Sequence, residues 1–84
     1  MTLNEASIQH GAARAAFCMA ADRVDRYMND HPNDKQAAAK AMAEYDKAAA
    51  QLAAVVTAIE AAGHHKRDYA PEVWEREQFT EAGA

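Results

Sequence analysis

Two stretches of the chain repeat their apolar positions at alternating spacings of three and four residues. The first runs Leu3, Ala6, His10, Ala13, Phe17, Ala20, Val24, Tyr27; the second runs Ala38, Ala41, Tyr45, Ala48, Leu52, Val55, Ile59, Ala62. Such a repeat lines its members along one side of an α-helix and, sustained over several heptads, makes a seam against another helix. No segment shows the period of two that marks a half-buried strand. The pattern therefore predicts an all-α fold built on two long helices.

Helix-ending residues divide the chain sparingly. Thr2 and Glu5 have the T-x-x-E spacing of a capping box, which starts a first helix over residues 3–29. In "NDHPND" Pro32 removes a backbone donor and biases His31 away from helical geometry, so the chain turns there. Asn33 with Gln36 has the spacing of a second capping box, and a second helix is expected over 34–62. Gly63 follows as the residue that ends it, with His64, His65, Lys66 and Arg67 near the negative helix terminus. Pro71, with Glu72, Glu75 and Glu77 behind it, suits the first turn of a short helix over 71–81. Residues 1–84 then form one helical domain.

Folding the chain back at the turn pairs the two seams antiparallel, with the residue numbers in each layer summing to 65. The layers become Tyr27 with Ala38, Val24 with Ala41, Ala20 with Tyr45, Phe17 with Ala48, Ala13 with Leu52, His10 with Val55, Ala6 with Ile59, and Leu3 with Ala62. Seven of the eight join a large side chain to a small one, the size complementarity that a packed core requires. Alanine at every seventh position (Ala6, Ala13, Ala20) resembles the close-packed antiparallel coils called alacoils. The expected fold is an antiparallel two-helix hairpin, an alanine-rich coiled coil, with a short C-terminal helix.

A hairpin leaves other apolar positions uncovered. On the first helix these are Ile8, Ala12, Ala15 and Met19; on the second they are Met42, Ala49, Ala53 and Val56. Either the C-terminal segment folds over them or a second copy packs there. The second case gives a homodimeric four-helix bundle and is the expectation adopted, with these eight residues as the oligomer interface.

Composition strengthens that expectation. The 84 residues include 23 alanines against six aromatics, so side chains are many but small and each buries little area. A chain this short stabilises a single core with difficulty, and association compensates. The net charge of -4 argues against a general nucleic-acid binder. Cys18 is the sole cysteine, which precludes an intrachain disulfide and fits a reducing compartment. The opening "MTLNEASIQHG" has no basic stretch followed by an apolar run, and no apolar run approaches the roughly 20 residues of a membrane span. A cytoplasmic location without membrane attachment is expected.

Candidate chemistry is sparse. Ser7, Cys18, Thr57 and Thr80 are scattered, with no glycine-rich loop, so no catalytic set is expected. His10, His64 and His65 converge on the open end of the hairpin, but Cys18 lies two turns away, and neither a metal nor a cofactor is expected. "HHKRDY" is the one basic cluster, with His64, Lys66 and Arg67 as candidate anion-binding residues and Tyr69 as a stacking platform. The segment "YAPEVWEREQFTEAGA" concentrates aromatics among charges, the composition of an interface hot spot, and Tyr69, Val73, Trp74 and Phe79 are its candidate partner-binding residues. In size and composition the chain resembles small accessory proteins of bacteria and their phages. That resemblance implies binding to a larger host or cellular protein in order to block or adapt it. The expected function is a non-enzymatic binding module that regulates or inhibits such a partner; a structural or assembly subunit is the alternative, and small-ligand or nucleic-acid binding through "HHKRDY" comes third.

Overall fold

The computed structural model describes the backbone of residues 1–83 and the side chains of residues 1–80. It contains four helices: α1 (Leu3–Asp30), α2 (Lys35–Ala61), α3 (Lys66–Tyr69) and α4 (Pro71–Gly83), and no strand among the described residues. The two long helices pack against each other as an antiparallel hairpin.

Each boundary has a local cause. Thr2 caps α1, its Oγ1 accepting from the Glu5 backbone N–H at 3.1 Å. Glu5 does not reach back to the Thr2 amide; its Oε1 accepts from the Thr2 hydroxyl at 3.0 Å instead. His31, ahead of Pro32, leaves helical geometry at φ -135°, ψ 62° and ends α1. The cap of α2 is Asp34, one residue after the expected Asn33: its Oδ1 accepts from the Ala37 N–H at 3.0 Å. A carboxylate at this position also answers the positive end of the helix dipole, which an amide cannot. At the far end of α2, Gly63 takes φ +92°. Its N–H bonds to the Glu60 carbonyl and the His64 N–H bonds to the Ile59 carbonyl, the paired bonds of a Schellman motif.

The seam lies where the heptads place it. Thirteen of its sixteen residues are buried or half-buried, and the three exposed ones, Leu3, Tyr27 and Ala62, sit at the hairpin's ends. Ala6 and Ile59, paired in one layer, are both 0% exposed. Phe17 and Tyr45 occupy adjoining layers, each opposite an alanine, and their rings approach to 5.1 Å. Arg23 and Glu44 bridge the seam at 3.4 Å. Their numbers sum to 67, within two of the seam value, as residues flanking a seam should; a slip of one heptad would change the sum by seven.

The C-terminal segment does not lie along the hairpin. Residues 64–70 fold over its open end, where Tyr69 and Ala70 join Ala6 and Ile59 in one buried cluster, with Val55 and Val73 against it. Ala70 precedes a proline and adopts an extended φ of -146°, which separates α3 from α4. Beyond that break α4 packs mainly on α3.

The result is an extended molecule. Its Cα radius of gyration is 15.4 Å, against about 12 Å for a compact domain of this length. Its accessible surface is 6123 Å², whereas a compact monomer of 9.1 kDa exposes about 4,900 Å². The shape accounts for the difference: the molecule extends 45 × 31 × 15 Å, thin in one direction. The seam closes the space between two helices but leaves their outer faces bare.

Candidate functional site

Seen from the seam, the hairpin has two flanks. Residues just before a seam position face one flank and residues just after it face the other. Gln9, Ala12 and Ala16 of α1 and Gln51 of α2, each just before a seam residue, line one groove with Ala13, Ala48 and Val55. Farther along, Met19, Arg23, Glu44 and Lys47 continue it toward the closed end. Ser7, just after Ala6, faces the opposite flank, and its hydroxyl donates to the Tyr69 carbonyl at 2.7 Å. Residues 64–70 therefore meet the hairpin from the second flank, at its open end only, and the groove on the first is open.

This geometry divides the eight residues expected to form one oligomer interface. Ala12 and Met19 border the open groove, with Ile8 and Ala15 around the back of α1; Ile8 is 64% exposed and Met19 59%. Met42, Ala49, Ala53 and Val56 each follow a seam residue, so they lie on the other flank, on the side of the C-terminal segment. One flat contact cannot cover both sets. Ala49 and Val56 are already half-buried, whereas Ala53 and Met42 are exposed.

The four candidate partner-binding residues also separate. Tyr69 is 3% exposed and belongs to the core at the open end. Its ring meets that of His10 edge-on at 5.3 Å, which explains why a histidine occupies the seam. Val73 packs against the same cluster. Trp74 is half-buried and holds His65 at 4.8 Å in a T-shaped contact. Phe79, 81% exposed, is left to solvent on the outer part of α4.

The basic cluster is largely committed within the chain. Lys66 is paired with Glu77 at 2.8 Å, tying α3 to α4. His64 donates through Nε2 to the Met1 carbonyl at 2.8 Å. His65 caps α3, its Nδ1 accepting from the Arg67 N–H at 3.1 Å. Of the three candidate anion ligands only Arg67 keeps an exposed side chain without an ion pair among the described residues. These roles were hidden in the sequence because a histidine cap is uncommon and α3 is a single turn. The Ala70–Pro71 junction was its one available signal.

No protein-family model matches the chain, and neither a curated protein nor a solved structure is similar to it. Function must be argued from the residues.

Electrostatics single out the open end. Burial holds His10 below the usual imidazole range, with the charges of Lys66 and then Arg14 acting in the same direction and Glu77 opposing them. Burial pushes the Tyr69 phenol up, helped by the Glu60 carboxylate. Among the described residues the buried Tyr69 hydroxyl has no hydrogen-bond partner, and the nearby Glu60 carboxylate acts on it through its charge. Among the described residues no group of three or more His, Cys, Asp or Glu side chains is arranged to hold a metal ion. Ser7 spends its hydroxyl on the Tyr69 carbonyl, and Cys18 is exposed on α1. No described helix is long and apolar enough to cross a membrane.

Proposed function

We propose that the protein is a non-enzymatic binding module, a homodimer that regulates or inhibits a larger partner protein. The observation that carries this reading is the surface left over after the chain has folded. It exceeds that of a compact 9.1 kDa monomer by about 1,200 Å², more than the roughly 800 Å² each partner contributes to a standard interface. The two flanks suit two occupants. A second copy belongs on the open-groove side of α1, against Ala12 and Met19 and on to Ile8 and Ala15 around its back, where alanines allow helices to approach closely. The partner belongs on the side of the C-terminal segment, against the outer face of α4, where Phe79 and the exposed edge of Trp74 supply the aromatic anchors that dominate binding energies.

Affinity capture from the native host's lysate tests the partner surface, with Phe79→Ser as control, since Phe79 is almost wholly exposed and its loss leaves the fold intact. A specific protein held by the natural chain and lost with Phe79→Ser is the expected result. Equal retention by both would remove α4 from the binding surface, and the absence of any specific partner would overturn the proposed function.

A further inference from the structure

Three of the four histidines meet at the joint between the hairpin and its C-terminal segment. His10, 5% exposed, supports the Tyr69 ring. His65 caps α3, and His64 ties the segment to the start of the chain. Besides these contacts, the segment is fastened to the hairpin by the Ser7 hydroxyl and by the burial of Tyr69 and Ala70 against Ala6 of α1 and Ile59 of α2.

The surroundings of His10 are suited to a neutral ring only. From its own helix it faces Arg14; from α3 it faces Lys66 and the Tyr69 ring; from α4 it faces Glu77. That carboxylate is already paired with Lys66, and Glu60 of α2 lies toward the Tyr69 hydroxyl. No group among the described residues hydrogen-bonds the His10 ring. A proton placed there would sit beside Arg14 and the Lys66–Glu77 pair in a site only 5% exposed, with no hydrogen-bond acceptor among the described residues. The Lys66–Glu77 ion pair ties α3 to α4, so the two move together.

We propose that the His10–Tyr69 contact is an acid-opened latch: a neutral His10 holds residues 64–83 on the open end of the hairpin, and its protonation releases them as a unit, uncovering a slot lined by Ala6, Val55 and Ile59. The sign follows from proton linkage. The closed form binds the proton more weakly than the open form, whose imidazole has the ordinary value of 6.5. Closure is therefore complete above that pH and weakens as pH falls toward the closed-state value, by at most about tenfold per pH unit. The hairpin's closed end carries no such group in its seam. It should survive while the open end frays.

Amide hydrogen exchange followed residue by residue between pH 7.5 and 5, corrected for intrinsic rates, reads the latch. The amides of Tyr69 and Ala70, bonded to the His65 and Lys66 carbonyls, should lose protection by up to about tenfold per unit below pH 6.5, while those around Ala20 and Ala41 hold theirs. In the natural chain the NMR titration of the His10 ring should share the midpoint of that loss. His10→Phe, which keeps a ring against Tyr69 but cannot titrate, should abolish the loss; His65→Asn, which keeps a capping group, should leave it. A flat profile in the natural chain, a His10 midpoint that does not track it, or equal opening in His10→Phe would overturn the latch. Loss of protection throughout both long helices would overturn it too, as general acid unfolding. None of these readings depends on the identity of a binding partner.

Discussion

Replacing Tyr69 separates the two contributions of one side chain to the joint. The ring is 3% exposed, packed between His10 and the Ala6–Ile59 cluster, while its hydroxyl is buried with no hydrogen-bond partner among the described residues. Tyr69→Phe keeps the ring and removes the unsatisfied group, whose burial costs about 1–3 kcal/mol. Part of that cost is recovered by relaxation, so the variant should be more stable by about 1 kcal/mol. Tyr69→Ala removes the ring as well, and truncations of this size in a core cost about 3–5 kcal/mol. The observed loss is smaller if residues 64–83 open before the hairpin does, because once they have opened no further penalty accrues. Urea unfolding followed by circular dichroism at 222 nm, at one fixed protein concentration, measures both. A Tyr69→Phe variant less stable than the natural chain by about 1 kcal/mol or more would refute the reasoning. It would mean that the hydroxyl is bonded in solution, with Glu60 as the candidate acceptor.

Other positions make independent predictions for the same assay. Gly63→Ala meets no neighbouring atom within 4 Å, so its cost comes from the backbone at φ +92° alone, about 1–2 kcal/mol. Asp34→Ala should cost about 1 kcal/mol by uncapping α2, whereas Asn33→Ala should cost far less. Arg23→Ala should change stability by no more than about 0.5 kcal/mol, since both partners of its ion pair are about half exposed.

Much of the fold was legible because it depends on short-range rules. The 3–4 repeat fixed both helices and their register, and Thr2, Pro32, Gly63 and Pro71 marked their ends. What escaped was tertiary. Tyr69 reads as an exposed aromatic in a polar segment, and only the path of residues 64–70 over the open end buries it. His10 has its aromatic partner in Tyr69, 59 residues away in the chain, which no spacing rule could pair with it. The expected interface was assembled by exposure on each helix separately. Which flank each set faces is decided by the antiparallel pairing, and that pairing sends Met19 and Met42 to opposite sides.

The mass of the protein in solution bears most directly on whether its uncovered surface is an interface. Light scattering across a range of concentrations should give twice 9.1 kDa, falling to the single-chain value when Met19→Glu places a charge on the open groove. A mass of 9.1 kDa at every concentration would contradict the homodimer.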